Sequence, residues 1–326
     1  ERLDIEAQSS ESRLMLVRWF ASSWRFDDAE AALSTITSDL EHMQGADAIA
    51  SAYHAAGGLT EAITLNVQAL TDRIHVLGED HPDTLASRNN LAGAYESAGR
   101  LTEAITLYEQ VLTDRIRVLG EDHPNTLTSR NNLAGAYESA GRLTEAITLY
   151  EQALTDRIRI LGQDHPNTLT SRNNLAYAYH AAGRLTEAIA LLEQVLTDSI
   201  RILSQDHPHT LAWRNNLANA YRKAGRIAEA IALLEQVITD RTRILGEDHP
   251  DTLTSRNNLA AAYESAGRLT EAIALYEKVL TARTRVLGKD HPATLATLNA
   301  LSSAYKDAGF LNKATALLEG ETPTEG

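Results

Sequence analysis

The sequence contains no cysteine, and only seven prolines, three phenylalanines and three tryptophans among 326 residues. Without cysteine there is no disulfide scaffold, no thiolate zinc site and no cysteine nucleophile. Basic residues are short as well: 30 Lys and Arg face 44 Asp and Glu, a formal charge of -14. Lysine and arginine supply the phosphate contacts in polyanion binding, so no nucleic-acid partner is expected. No apolar run approaches the ~20 residues of a membrane span, and no secretory signal pattern opens the chain. A cytoplasmic protein with no membrane partner is the expectation. The chain opens at Glu1 rather than methionine, as a piece of a longer protein would.

The few prolines are placed by rule. Six of the seven stand in the triplet Asp-His-Pro, whose histidines are His81, His123, His165, His207, His249 and His291, always 42 residues apart. The seventh, Pro323, lies in the tail. A fixed period of this size marks a repeat array. No proline interrupts a helical pattern, and each repeat reads as two helices. After His81, helix A is expected over about residues 83–98, with Leu85, Leu91, Ala92, Tyr95 and Ala98 on one stripe. Helix B follows over about 102–119, its apolar set including Ala104, Ile105, Tyr108, Val111 and Leu112 at helical spacing. Gly99 breaks the chain between them, and Gly120 ends helix B where a left-handed C-cap is expected.

Asn-Leu-Ala-x-Ala-Tyr, then glycine, then Leu-Thr-Glu-Ala-Ile resembles the tetratricopeptide repeat. Leu-Gly-x-Asp-His-Pro and Asn-Asn-Leu-Ala at a 42-residue period are similar to the variant of kinesin light chains and many bacterial repeat proteins. The resemblance covers about residues 46–318. It implies an all-α fold, a right-handed superhelical solenoid of stacked antiparallel helix pairs. One departure stands out: the residue before the paired asparagines is usually apolar in that variant, and here it is Arg88, Arg130, Arg172, Arg214 and Arg256, with Leu298 last.

The ends differ from the middle. Residues 1–43 hold a degenerate helical hairpin rich in Trp19, Phe20, Trp24 and Phe26, which reads either as a cap or as a contact surface for a preceding domain. Residues 44–319 form an array of seven helix pairs, and 320–326 are a polar, frayed tail.

A histidine beside a carboxylate in every repeat invites a metal or acid–base reading. Stacked hairpins lie about 10 Å apart, however, so histidines of successive repeats cannot share an ion whose bonds are about 2 Å long. The triplet reads as a helix boundary: aspartate bonds the turn, proline presets a helix start, and Asp83 or Asn125 satisfies the free N–H groups. The imidazole is expected to pack across the turn and donate to a carbonyl or to the adjacent aspartate. No catalytic site, metal or cofactor is expected.

In tetratricopeptide arrays the concave face, mostly helix A, holds ligands. The resemblance places there the first asparagine of each pair: Asn89, Asn131, Asn173, Asn215, Asn257 and Asn299. A ladder of amides can hold an extended peptide backbone whatever its sequence, although these groups could equally bond neighbouring repeats. The arginines before them read as structural, stem packed and guanidinium on a carboxylate. A second basic ladder, Arg117, Arg159, Arg201, Arg243 and Arg285, lies three residues after an aspartate in all but the last repeat. That ladder suits ion pairing and ligand binding equally. The repeats disagree most in the middle, where Tyr177, His180, Asn219 and Arg222 replace glycine and glutamate, with Lys223 and Trp213 nearby.

The expected function is non-catalytic: binding of a protein or peptide partner, an extended acidic segment lying along about residues 130–265. Two alternatives stand beside it. One is a ligand-sensing repeat domain of a larger bacterial signalling NTPase, whose phosphate loop this sequence lacks. The other is a spacer or self-associating array.

Overall fold

The computed structural model describes residues 10–319; the predicted polar tail falls outside the described residues. All described secondary structure is helical. The helices are α1 (Ser10–Ser22), α2 (Phe26–Leu33), α3 (Asp39–Ala55), α4 (Leu59–Leu77), α5 (Pro82–Ser97), α6 (Leu101–Leu119), α7 (Pro124–Ser139) and α8 (Leu143–Leu161). The second half continues with α9 (Pro166–Ala181), α10 (Leu185–Leu203), α11 (Pro208–Lys223), α12 (Ile227–Leu245), α13 (Pro250–Ser265), α14 (Leu269–Leu287), α15 (Pro292–Asp307) and α16 (Leu311–Glu319). Odd-numbered helices are A helices and even-numbered ones B helices. The chain divides into two compact units, Glu1–Ile160 and Leu161–Gly326, each built from four hairpins.

Within each unit the A helix packs on its own B helix and on the preceding one. The centre of each contact is a leucine of the A helix: Leu85, Leu127, Leu169, Leu211 and Leu253 are at most 1% exposed. Each such burial contributes about 1.5–3 kcal/mol. Near the A–B turn, Ala104, Ala146, Ala188, Ala230 and Ala272 of the B helices are all fully buried. A methyl at that station lets the two helix backbones come close. In the first hairpin Phe20 and Leu33 join Ile49 of α3 in one core, and Phe26 stacks on Tyr53 with ring centroids 3.9 Å apart. Trp19 and Trp24 of the same hairpin point outward, 53% and 61% exposed.

The two turns of each repeat use different chemistry. At the A–B turn Gly99 has φ +73°, Arg100 N–H donates to Tyr95 O at 2.8 Å and Gly99 N–H to Glu96 O at 2.9 Å. That pair of bonds is the Schellman arrangement, with the left-handed residue glycine for want of a Cβ. The Arg100 guanidinium then lies 4.3 Å from the centre of the Tyr95 ring. At the B–A turn Gly120 does not adopt the predicted left-handed helical cap. Its φ of 91° comes with ψ 164°, an extended conformation of positive φ that only glycine takes without strain.

The Asp-His-Pro boundary is also wired differently from the sequence reading. His123 Nδ1 accepts from Asn125 N–H at 3.1 Å, and all six histidines of the triplets cap their A helix in this way. The imidazole is the acceptor, not a donor, and neither Asp83 nor Asn125 supplies the cap. Proline occupies the first helical position, where no N–H is wanted. The aspartate turns away to an arginine, as described below.

Candidate functional site

Within the C-terminal unit, neighbouring A helices approach one another closely, α9 against α11 and α11 against α13. Asn173, Tyr177 and His180 of α9 meet Asn216 and Asn219 of α11 around Leu192, enclosing a recess of only about 30 Å³. Tyr177 is 55% exposed, and its ring stands 6.2 Å from that of His180. The recess holds no more than a water, so these side chains offer a surface rather than a cavity.

The recess has unspent hydrogen-bonding capacity at its edge. His180 Nε2, Asn215 Oδ1 and Arg222 Nε are buried atoms with no partner among the described residues. Arg222 makes one weak contact, Nη1 to Ser265 Oγ at 3.4 Å. Neither Arg222 nor Lys223 forms an ion pair among the described residues. Burial first, then the charges of Lys223 and Arg222, hold the His180 imidazole below its ordinary value, which keeps it neutral.

The asparagine pairs divide between seam and surface. Asn132 Nδ2 donates to Asn89 Oδ1 at 3.0 Å, and Asn216 Nδ2 to Asn173 Oδ1 at 3.1 Å. The second asparagine of one repeat thus takes the acceptor of the first asparagine of the repeat before. Asn257 Oδ1 accepts from Thr297 Oγ1 at 3.1 Å. Asn131 Oδ1 is buried without a partner, and Asn299 is exposed. The ladder is not a row of free amides.

The arginine ladders close into four-residue clasps. Arg88 donates to Asp114 Oδ2 at 2.6 Å, Arg117 to Asp114 Oδ1 at 3.2 Å, and Arg117 Nη1 to Asp80 Oδ2 at 2.8 Å. The same clasp recurs with Arg130, Asp156, Arg159 and Asp122; with Arg172, Asp198, Arg201 and Asp164; and with Arg214, Asp240, Arg243 and Asp206. Here lies the Asp-His-Pro aspartate: a hydrogen bond from the arginine, more than the charge itself, holds Asp80, Asp122 and Asp164 below the usual carboxylate range. Ala282 replaces the central aspartate in the repeat after His249; there Arg285 keeps Asp248 at 2.6 Å, and Arg256 turns to Glu247 at 3.8 Å. Arg201 stands in the last turn of α10, where it holds Asp164 just ahead of the start of α9. Tyr177 and His180 stand at the far end of α9, roughly 20 Å along the helix by its 1.5 Å rise.

One pairing that marks this region escaped the sequence reading. Tyr108 donates to Glu96 at 3.4 Å, Tyr150 to Glu138 at 3.4 Å, and Tyr276 to Glu264 at 3.1 Å. At the same stations the two central hairpins carry His180 with Leu192 and Arg222 with Leu234. Both partners changed together, so no carboxylate loses its donor and no hydroxyl its acceptor. Trp213 is core: 4% exposed, packed with Leu169 and Val195, and stacked on His209 at 5.6 Å. A second missed set is a row of buried arginines on the B helices. Arg73, Arg115, Arg241 and Arg283 are 4–6% exposed and donate to Ser87, Ser129, Ser255 and Thr297 of the next A helix. A shared period was the available signal for both.

No group of three or more His, Asp or Glu among the described residues could hold a metal ion, and no described helix is long and apolar enough to cross a membrane. What the described residues build is a helical-hairpin repeat protein with a polar A-helix face. The chain belongs to the tetratricopeptide repeat family, whose profile matches residues 42–115, 88–159, 131–199, 173–241, 209–283 and 257–319.

Among solved structures, the chain is 38% identical to the nearly identical TPR-like repeats of a putative kinesin light chain from Podosopora anserina. That match has a TM-score of 0.54 and covers 63% of this chain and 97% of the other. BtubC (BKLC) from P. vanneervenii is 21% identical, with a TM-score of 0.54 over 73% of this chain and 92% of its own. The Rap conjugation gene regulator of the plasmid pLS20, solved with the Phr* peptide, is 14% identical with a TM-score of 0.64, over 86% of this chain and 73% of that one. No curated protein matches the chain.

Proposed function

We propose that the protein is a non-catalytic cytoplasmic scaffold whose A-helix face on α9 and α11 binds an extended, acidic peptide segment of a protein partner. The observation that carries this reading is the state of Arg222 and Lys223. Two adjacent cations without an ion pair act on the His180 imidazole, whose buried Nε2 has no partner among the described residues, next to an exposed tyrosine. Elsewhere in the unit Arg172, Arg201, Arg214 and Arg243 hold aspartates, and Arg226 and Arg268 hold glutamates. A carboxylate-bearing ligand would supply the acceptors that Arg222 and Lys223 lack, and Tyr177 would offer it a flat apolar face. Arg117, Arg159, Arg201 and Arg243, each already holding carboxylates, are left out of this site. Contacts worth ~0.5–1.5 kcal/mol apiece, set against the ordering of a long ligand, give an expected Kd near 1 μM.

A random-peptide display selection on the full chain tests it, run beside Arg222→Glu/Lys223→Glu. An acidic motif enriched on the parent and lost on the variant, at unchanged helical content, is the expected result. Equal enrichment on both, or none on either, would overturn the reading.

A further inference from the structure

The N-terminal unit holds a pocket at the register of the α9–α11 recess, three repeats earlier, and much larger. Ser51 and His54 of α3, Asn66 of α4, Gly93 and Glu96 of α5 and Tyr108 of α6 border a space of about 360 Å³. The extra room has a cause in the sequence. Asn66 stands where later B helices carry Tyr108, Tyr150 and Leu192, and Ser51 and Gly93 stand where the recess has Tyr177 and Asn219. Its volume lies in the range of small-ligand sites, ~300–1,000 Å³.

The lining is incompletely satisfied. Asn66 is 8% exposed, faces the pocket, and makes no hydrogen bond among the described residues. Its amide therefore keeps an acceptor and two donors free for a ligand in the pocket. His54 is engaged, its Nε2 2.7 Å from Ser97 Oγ. Glu96 accepts from Ser139 at 2.9 Å and from Tyr108 at 3.4 Å, yet no cation pairs with it among the described residues. Of the lining side chains Glu96 is the one acid, and none is lysine or arginine. Its charge is felt at Glu138 on α7, whose carboxyl is pushed up to about 7, first by burial and then, against the Tyr150 hydrogen bond, by Glu96 itself.

We propose that this pocket binds a guanidinium group, the arginine side chain of a peptide or protein partner, between the Glu96 carboxylate and the Asn66 amide oxygen. A guanidinium is planar, always charged, and brings five donors and no acceptor. It matches a site made of one carboxylate, amide oxygens and a tyrosine ring, with no competing cation. A carboxylate ligand would meet Glu96 without compensation. The site is separate from α9 and α11 and does not depend on the reading given for them.

The test is an NMR titration of the full chain with acetyl-Gly-Arg-Gly-amide, and with acetyl-Gly-Glu-Gly-amide as the opposite charge. The arginine probe is expected to move the Asn66 side-chain amide and the Gly93 backbone resonances, and the glutamate probe to leave them in place. Glu96→Gln, which keeps the shape, should weaken binding about tenfold, the loss of one charge-assisted contact. Asn66→Tyr installs the residue that α6 and α8 carry at this station and should abolish binding by filling the space. Resonances unmoved by the arginine probe would overturn the proposal. So would equal responses to the two probes, or an undiminished response in Glu96→Gln at unchanged helical content. Arg222→Glu/Lys223→Glu should leave the arginine titration as it is, so this site and the α9–α11 site stand or fall apart.

Discussion

Arg241, a residue only 5% exposed, donates to Ser255 at 2.8 Å. One hairpin earlier the same two stations hold Ser199 and Trp213, both buried. The large residue and the small one have changed places: an indole fills the seam where an arginine stem does so elsewhere. Trp213→Ser alone should therefore leave a void and cost about 3–5 kcal/mol, the range for truncating a buried large aromatic. Ser199→Arg alone should also destabilise, since it drives a charge against an indole that cannot accept from it. Ser199→Arg with Trp213→Ser rebuilds the pair found at Arg241 and Ser255. The double variant should lose much less than the sum of the singles in urea unfolding. Simple additivity would show that the two stations do not share one space.

Ser204 is a second exception at a repeating station. It takes φ 92° and ψ 162°, while Gly120, Gly246 and Gly288 take φ 91–93° there. A Cβ in that conformation stores about 1–3 kcal/mol of strain, and glycine gives back roughly 0.5–1 kcal/mol through its freer unfolded chain. The first term is the larger. Ser204→Gly should stabilise the protein by ~1 kcal/mol, read as a raised urea midpoint, and Gly246→Ser should lower it by a similar amount.

The Glu138 carboxyl titrates near 7 in the folded chain, above its ordinary 4.5. A raised acid binds its proton more tightly folded than unfolded. Its contribution is present below 4.5 and is lost as pH rises through about 7. Glu138→Gln removes that dependence. Parent and variant should differ more at pH 8 than at pH 4, with the variant gaining as pH rises. An unfolding midpoint series across this range, with a carbon-13 carboxyl titration of the parent, checks both the sign and the window.

The hairpins could be read from the sequence because apolar spacing and proline placement repeat together: A helices predicted at 83–98 and B helices at 102–119 are found within one residue, at Pro82–Ser97 and Leu101–Leu119. The hydrogen-bond partners could not. At the B–A boundary histidine, aspartate and asparagine can each accept an N–H, and only the backbone path decides that His123 does so while Asp122 reaches Arg159. Arg115 was hidden for a different reason: a charged residue between apolar ones reads as surface until the hydroxyl of Ser129 is known to face it. The pairing of Glu96 with Tyr108 joins two helices, and no periodicity within one helix reveals it. Tyr177, His180, Asn219 and Arg222 could be singled out because they break a pattern.

Every complete arginine–aspartate clasp opens and closes inside one hairpin, between Asp80 and Arg117 in the first and between Asp206 and Arg243 in the last. A 42-residue segment that is gained or lost whole therefore leaves or arrives with its clasp complete, two arginines with their two aspartates. The number of hairpins can change in this way without leaving half a clasp at the join.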